Sequence, residues 1–273
     1  MLSAVILARN EEKNIRFCLN TLSWCDEIVV VDMDSSDSTA AIAREYTDKV
    51  YFHEKVIAFD IAKKYGVEKA IGEWILLIDA DEMIQYPLAR RLRSYAEENK
   101  VDVVEIPFKN FILGDWVQHT GWGYMPLPRF FRRDKINFTE TIHDYMHVLP
   151  EAKVMRLASS DENCIYHFAY LDSSHFVEKL NRYTSAEAQH LYQIKVPFSV
   201  RRVIMSALLM FNGRYVVGKG YKDGVRGFVL SLMMAFYQAL SHIKLWELYQ
   251  FEDTPVVERY DKIRHDLLSK WKK

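Results

Sequence analysis

Cysteine is scarce in this 273-residue chain, which contains only Cys18, Cys25 and Cys164. Their spacing fits neither a zinc motif nor an even disulfide framework, so we expect reduced thiols in a cytosolic protein. An excess of charge of one sign is also missing, with 36 basic and 37 acidic residues. The charge balance therefore gives no reason to expect a nucleic-acid partner. Because the chain enters a strand directly, without a basic region and a long apolar stretch, we expect no signal peptide.

Long apolar runs are missing as well. Residues 203–211 and 228–240 are apolar, but each is shorter than the roughly 20 residues that a transmembrane helix needs. There is no internal repeat and no low-complexity tract. Aromatic residues are abundant, at 14%. They suit a substantial core and a surface that stacks on carbohydrate or faces a membrane.

Strand and helix patterns alternate along the first part of the chain. Predicted strands cover residues 3–8, 27–31, 50–52, 74–78 and 101–108; predicted helices cover 11–22, 39–46, 57–70, 87–100 and most of the chain from about 176 onward. This order predicts an α/β fold with a doubly wound, mostly parallel, Rossmann-like sheet and a helical C-terminal extension. In such sheets ligands bind beyond the carboxyl ends of the strands.

Three carboxylates follow the fourth predicted strand, at Asp79, Asp81 and Glu82. Side chains two apart on a strand point the same way, so Asp79 and Asp81 can converge on one point. Two close carboxylates repel unless a cation lies between them, and oxygen ligands select Mg²⁺ or Mn²⁺. The alternative is that Asp79 and Glu82 cap a following helix.

The second predicted strand also ends in acidic residues, Asp32, Asp34 and Asp37, placed among serines. Such short side chains can cap the next helix, with Ser36 or Asp37 as the capping residue. Alternatively, Asp32 accepts a hydrogen bond from a nucleotide base. The carboxylates after the fourth strand favour the nucleotide interpretation.

Together these segments closely resemble the family 2 glycosyltransferases over about the first 190 residues. The matching segments are residues 8–15, 26–32 with Ser35, Asp37 and Thr39, 72–74 leading into 79–82, 128–133, 141–144, 166–167 and 179–183. The resemblance implies a GT-A fold and a nucleotide-activated sugar donor. It is strongest to the bacterial enzymes that add glucose or a similar hexose to the lipopolysaccharide core.

The resemblance assigns roles to several strand-end residues. Asp79 and Asp81 match the D-x-D pair that holds Mn²⁺ or Mg²⁺ and the sugar diphosphate. Arg9 and Glu11 belong to the motif that contacts the nucleoside, and Asp32 lies beside the base. The chain departs from the family after Asp32, where it has Met33-Asp34, which puts the uracil contact in doubt.

An inverting transfer needs a base that takes the proton from the attacking acceptor hydroxyl. The family usually has His-Glu where this chain has His143-Asp144. The resemblance thus predicts Asp144 as the base, beside His143, with Glu140 as the rival. The alternative for Asp144 is a loop carboxylate that bonds to local amides.

Cationic side chains are expected to stabilise the leaving diphosphate. The candidates are His143, His167, Arg129, Arg132 and Arg133. The resemblance adds Lys63, at a position where relatives often carry a basic residue near the diphosphate. Lys63 is equally well explained as a solvated helix charge, and His167 either approaches the metal or is a core residue. Arg132 and Arg133 cannot both face one site from a strand.

The acceptor side is less specific in sequence. Trp122 and Tyr124, near Trp116, either stack on an acceptor sugar or belong to the core. We expect a catalytic domain over 1–190, with nucleotide-sugar binding in 1–110 and the acceptor and base region in 111–190. Residues 191–273 form a helical region. Within it, basic residues flank apolar runs over 199–250, which suits either a membrane surface or packing on the protein or on a second copy.

The sequence thus predicts an inverting, metal-dependent hexosyltransferase that uses a nucleotide sugar such as UDP-glucose. Its acceptor would be a glycan or glycolipid, and its location cytoplasmic, at the inner face of the membrane. One alternative is a sugar nucleotidyltransferase, although residues 8–11 lack the glycines that usually cradle a triphosphate. The other is an inactive GT-A protein that only binds carbohydrate.

Overall fold

The computed structural model describes residues 1–54, 59–123, 125–138, 146–251 and 255–271, with side chains described throughout except at 59–61. Its strands are β1 (Leu2–Ala8), β2 (Glu27–Asp32), β3 (Val50–Phe52), β4 (Trp74–Asp79), β5 (Glu82–Ile84), β6 (Val103–Ile106), β7 (Phe108–Ile112), β8 (Asp115–Trp116), β9 (Leu127–Arg132), β10 (Ile136–Phe138), β11 (Met146–Val148), β12 (Val154–Arg156) and β13 (Ile165–Tyr170). Its helices are α1 (Ile15–Asn20), α2 (Thr39–Arg44), α3 (Phe59–Lys69), α4 (Tyr86–Glu98), α5 (Ser173–Gln193), α6 (Val200–Asn212), α7 (Gly224–Gln250) and α8 (Val256–Trp271). The contacts divide the chain into two compact units, residues 1–176 and 177–273.

The central sheet of the first unit has seven strands in the order β12-β6-β9-β4-β1-β2-β3. Strand β1 pairs in parallel with both β2 and β4, and β2 pairs in parallel with β3. All seven residues of β1 are buried, as a strand covered on both faces must be. The predicted alternation of strands and helices is therefore confirmed for the part of the chain that carries the polar clusters.

Helices cover both faces of this sheet. One core cluster joins the side chains of Ile6 and Leu76 to helices α1, α2 and α4. The other joins Val5 and Leu77 to helix α3. Because neighbouring strand residues point to opposite faces, the continuous apolar run of each strand supplies both layers of a doubly wound fold.

Strand β9 is the main departure from a purely parallel sheet. It lies between β4 and β6 and runs antiparallel to both. A second sheet, in the order β5-β13-β7-β8, forms from strands that follow the fourth-strand carboxylates in the chain. Strand β13 pairs with β5 and β7 over long sequence separations, so the sequence pattern alone did not predict these partners.

The second unit is helical, as expected, and α6 packs on α7. The predicted domain boundary at residue 190 lies inside α5, which spans the division between the two units. Within the described ranges, one helical stretch, residues 220–250, has the length and apolar composition needed to cross a membrane, and 33% of its most apolar window is buried. Residues 228–240 looked too short for a span, but α7 continues for ten residues beyond them.

A buried carboxylate connects the amino ends of three strands. The Glu27 side chain accepts hydrogen bonds from the Ser3 hydroxyl and from Lys49, and the Ile71 amide donates to its Oε2 atom at 2.8 Å. Ser3 Oγ in turn accepts a 2.9 Å hydrogen bond from the amide of Gly72. A Cβ atom at Gly72 would collide with Ser3. Burial would raise the pKa of Glu27, but Lys49, Ser3 and Ile71 outweigh it and lower this pKa.

We expect Glu27→Gln to reduce the free energy of unfolding by about 1–3 kcal/mol at neutral pH, since buried partners lose a charged acceptor. A carboxylate whose pKa is lowered by folding stabilises the protein above its unfolded pKa of about 4.3. That contribution is lost as the pH falls through the lowered folded value, so the difference between variant and parent should shrink in acid.

Chemical denaturation at several pH values measures this effect. Glu45→Gln is the matched control, because Glu45 pairs with Arg16 on the surface, where the side chains are 53% and 45% exposed. Exposed pairs contribute little, so this variant should match the parent. Equal stability of Glu27→Gln and the parent at neutral pH would contradict the structural role of Glu27.

Candidate active site at the carboxyl edge of the sheet

The carboxyl ends of β1, β2 and β4 meet at one edge of the central sheet. Ala8 at the end of β1 is in register with Asp32 of β2, and Leu7 is in register with Asp79 of β4. The polar residues that follow the three strands therefore lie side by side. This is the edge at which ligands bind in doubly wound sheets.

The loops after β1 and β2 are held together by side-chain hydrogen bonds. The Asn10 amide donates to Ser35 Oγ at 3.0 Å, and Asn10 Oδ1 accepts from the Ser36 amide at 2.8 Å. Asn10 has φ = 55°, a conformation that asparagine tolerates better than most residues. Asp37 accepts hydrogen bonds from the amides of Glu12 and Thr39. Asp37 thus ties the two loops to the start of α2, whose N-cap residue is Ser38 and not the predicted Ser36 or Asp37.

Three of the predicted nucleoside residues lie at this edge. Glu11 is 8% exposed, and its Oε2 accepts a 2.7 Å hydrogen bond from Asn14. Asp32 is 7% exposed, and its Oδ1 is buried without a hydrogen-bond partner, as is Nε of Arg9. Buried polar atoms without partners are rare in folded proteins. Their position at the ends of β1 and β2 marks a place where a ligand can supply the partners.

The carboxylates after β4 do not cap a helix. Strand β5 begins at Glu82, and the next helix, α4, begins at Tyr86 with Gln85 as its N-cap residue. Glu82 Oε2 accepts a 2.8 Å hydrogen bond from the Asp79 amide and so closes the tight turn between the two strands. The capping alternative is therefore wrong.

Arg129 of β9 places a positive charge against the carboxylates of this turn. Its guanidinium donates to Asp79 Oδ2 at 3.1 Å, to Glu82 Oε1 at 3.0 Å and to the Leu77 carbonyl at 3.3 Å. The guanidinium also lies 5.0 Å from the centre of the Phe108 ring. Arg129 is only 7% exposed. Its observed contacts hold the carboxylates in place, whereas a direct contact with a donor remains a prediction.

The protonation of the cluster follows from burial and charge. Burial would raise the pKa of Asp79, but Arg129 and Lys63 outweigh it and the pKa is lowered. Burial raises the pKa of Glu82 to about 7, against the opposing charge of Arg129. Lys63 of α3 is buried and close enough to act on Asp79. The interpretation of Lys63 as a solvated helix charge is therefore wrong.

His167 of β13 faces Asp81, with 3.6 Å between Nε2 and Oδ1. The other ring nitrogen, Nδ1, lies 2.8 Å from Asn110 Oδ1, and Asn110 Nδ2 donates to the Trp122 carbonyl at 2.7 Å. A carbonyl can only accept, so it fixes the orientation of the Asn110 amide and makes Nδ1 of His167 the donor. Nε2 of a neutral His167 then presents a lone pair to a carboxylate.

Two acceptors that face each other need a cation between them or a proton on the ring. Burial alone would lower the pKa of His167, but Asp81, Glu82 and Asp79 raise it overall. Oδ1 of Asp79 is also buried without a hydrogen-bond partner. These features fit a divalent cation. Among the described side chains, no three His, Cys, Asp or Glu residues are grouped closely enough to hold a metal ion by themselves, so the predicted ligand set of Asp79, Asp81 and His167 is not assembled in the structure.

The other predicted residues are placed differently. Arg132 is in register with Trp74 at the amino end of β4, where it pairs with Glu73 at 2.5 Å and donates to Asn99 at 2.6 Å. Because β9 runs antiparallel to β4, Arg129 lies near the carboxylates and Arg132 lies at the far end. Arg133 binds the carbonyls of Ala70 and Gly72. Neither residue joins the described site, so their predicted donor contact is not reproduced.

The predicted base region lies outside the described residues. This applies to Asp144, Glu140 and His143, and to Tyr124 among the predicted acceptor residues. Trp122 is described: its ring is half-buried and packs edge-on against Tyr170, with the ring centres 5.9 Å apart. Asn110 is the residue that the sequence did not reveal. Only the pairing of β7 with β13, which puts Asn110 in register with His167, identifies it.

Comparison with known proteins supplies the family. The model of the family "Glycosyl transferase family 2" matches residues 3–149. A lipopolysaccharide core biosynthesis glycosyltransferase, LpsC of Rhizobium meliloti, is 24% identical over 97% of this chain and 98% of its own length. An uncharacterized glycosyltransferase of Rickettsia typhi is 26% identical over 90% of this chain and 87% of its own. The structure of S. aureus TarS 1–349 in complex with UDP-GlcNAc covers 91% of both chains with a TM-score of 0.46 at 16% identity.

Proposed function

The chain belongs to glycosyl transferase family 2, and we propose that it is an inverting, metal-dependent enzyme that transfers a hexose from a nucleotide sugar to a glycan or glycolipid. The match to the family model confirms the family and the glycosyltransferase class that the sequence motifs predicted. The first donor that we propose is UDP-glucose. The lipopolysaccharide core is the first acceptor to test, because LpsC carries that function in its name.

The arrangement of Asp79, Asp81 and His167 around one edge of the sheet carries the proposal. The described side chains of the cluster include three carboxylates, Asp79, Asp81 and Glu82, against the cations Lys63 and Arg129. A diphosphate brings further negative charge to this place. Its binding therefore requires additional positive charge, and Mn²⁺ or Mg²⁺ held by Asp79 and Asp81, with His167 as a further ligand, fits that requirement.

Different residues of the chain would have different roles in the transfer. Arg129 holds Asp79 and Glu82 in position, and Lys63 adds a buried positive charge beside Asp79. Asp32 and Arg9 offer buried polar atoms to the nucleoside. When bound, the metal ion would neutralise charge that develops on the leaving diphosphate. Asp144, with Glu140 as the rival, would take the proton from the acceptor hydroxyl.

Asp79→Asn and Asp81→Asn should lower donor hydrolysis by about two orders of magnitude or more, since each removes a carboxylate ligand of the cation that would neutralise the leaving diphosphate. The measurement is nucleoside diphosphate release from a panel of nucleotide sugars with Mn²⁺ or Mg²⁺, repeated with EDTA. Asp48→Asn is the control, because Asp48 is exposed and precedes β3, away from the carboxyl edge.

Undiminished turnover in EDTA would refute the metal role of Asp79 and Asp81. Absence of hydrolysis with every donor, together with retained carbohydrate binding, would favour the inactive carbohydrate-binding alternative. Formation of a nucleotide sugar from a nucleoside triphosphate and a sugar phosphate would favour a nucleotidyltransferase.

Asn110→Ala should weaken Mn²⁺ binding by about 10- to 100-fold, because partners that orient a ligating histidine typically contribute that much. Asn110→Asp keeps an acceptor for the N–H of the His167 ring, so it should lose less Mn²⁺ affinity than Asn110→Ala. Electron paramagnetic resonance of free Mn²⁺ measures the affinity without turnover. Asn163→Ala is the matched control, since Asn163 also donates to a backbone carbonyl, that of Ala158, at 3.1 Å. Equal affinity of the Asn110→Ala variant and the parent would exclude His167 as a ligand oriented in this way.

Asp144→Asn should lower transfer to an acceptor by about 10²- to 10⁴-fold, the usual contribution of a general base. Donor binding should persist, because this residue acts on the acceptor. Glu140→Gln is the paired variant and should retain transfer. Calorimetry with the donor and a radiolabelled transfer assay separate the two effects. The reverse pattern would identify Glu140 as the base.

A further inference from the structure

Helices α6 and α7 of the second unit expose an unusually apolar surface. No residue of α6 is buried, although α6 packs on α7. Ile204, Leu208 and Leu209 of α6 are 55%, 59% and 64% exposed. Soluble monomers rarely leave large contiguous apolar patches in water, and such patches usually mark a contact with a protein or a membrane.

The exposed apolar residues of α7 follow one helical stripe. Val225, Phe228, Leu232 and Phe236 recur at intervals of three or four residues, and each is exposed. The opposite face of α7 carries buried residues, among them Leu230, Ser231, Ala235, His242 and Leu245. The division into a buried face and an exposed apolar face distinguishes α7 from a helix that is surrounded by lipid on all sides.

A basic, apolar segment connects the two helices. Residues 213–226, which we call the tip, contain a π-helical turn, Gly213–Val217, and a 3₁₀ turn, Gly220–Asp223. At the tip Val217, Tyr221 and Val225 are 72%, 52% and 80% exposed. These side chains alternate along the chain with cations: the basic residues of the tip are Arg214, Lys219, Lys222 and Arg226, against the single acid Asp223.

Charge identifies the partner. Over residues 200–250 the cations are Arg201, Arg202, Arg214, Lys219, Lys222, Arg226 and Lys244, and the acids are Asp223 and Glu247. The whole chain, in contrast, carries a net charge of −1. Basic residues beside an exposed apolar face bind anionic lipid, through headgroup attraction and burial of the apolar side chains. A second copy of this surface would bring like charges together.

We propose that the tip and the exposed stripe of α7 dock on an anionic lipid bilayer, with α7 lying in the interfacial plane. Lys244 supports the in-plane orientation: its Nζ donates to Asn181 Oδ1 at 2.7 Å, to Thr184 Oγ1 at 2.9 Å and to Ser185 Oγ at 2.8 Å. These bonds tie α7 to the polar face of α5, which a spanning helix would have to carry into hydrocarbon at high cost. The inference rests on the residues of the second unit and does not depend on the proposed chemistry.

The test is co-sedimentation of the full chain with vesicles of phosphatidylcholine, alone or mixed with phosphatidylglycerol. The parent should bind the anionic vesicles, bind the neutral ones weakly, and dissociate as salt is added. The double variants Val217→Asp/Val225→Asp and Lys219→Glu/Lys222→Glu should each reduce binding by about tenfold or more. Their donor hydrolysis in lipid-free buffer should stay at the parental level, so loss of chemistry and loss of docking are read separately.

The control double variant is Val257→Asp/Lys262→Glu in α8, where Val257 is 65% exposed and acids and bases are nearly balanced. It should bind vesicles like the parent. Failure of the parent to bind anionic vesicles, or undiminished binding by both tip variants, would overturn the proposal. So would a stable dimer in solution that the Val217→Asp/Val225→Asp variant dissociates, because the surface would then be an interface between copies.

Discussion

Negative charge buried at the end of β4 is the constraint on which the rest of the active site depends. Asp79, Asp81 and Glu82 lie within four residues, and all but Asp79 are nearly inaccessible to water. Several carboxylates cannot share a poorly hydrated volume unless cations or protons compensate them. Arg129, Lys63 and His167 come from three different elements, and each lowers the electrostatic cost. The placement of β9, α3 and β13 is therefore coupled to the carboxylates.

The direction of β9 decides which of its residues meet these carboxylates. A parallel strand beside β4 would direct its carboxyl end toward the carboxylates. Strand β9 runs the other way, so residues near its start lie beside the end of β4, and Arg129 reaches Asp79 and Glu82. The following residues pass to the amino end, where Arg132 pairs with Glu73. One antiparallel strand thus supplies a cation to the site and an ion pair to the opposite edge.

The sequence predicted the parts of this design that are local. Strands β1, β2 and β4, the acidic residues after them and the helical second unit all follow from apolar runs, turn residues and family motifs within short segments. Arg132 shows where local reasoning ends, since its role depends on the direction of β9. Asn110 shows the same limit, because its contact with His167 spans 57 residues and depends on strand pairing. The patterns of residues 200–250 predicted apolar helices but not which of their faces would stay exposed.

The partners that we propose for the two units differ, and so does the physical reason for each. In the first unit, Nε2 of His167 lies 3.6 Å from Asp81 Oδ1, and Oδ1 of Asp79 is buried without a hydrogen-bond partner. The partner that we propose there is a small, highly charged cation. In the second unit, exposed apolar side chains alternate with lysine and arginine over an area larger than an ion could cover. The anionic bilayer that we propose as the partner combines an extended apolar interior with a negatively charged surface, and so matches both features. An enzyme that modifies a lipid-linked acceptor would gain from this combination, because docking confines the enzyme to the layer in which its acceptor diffuses.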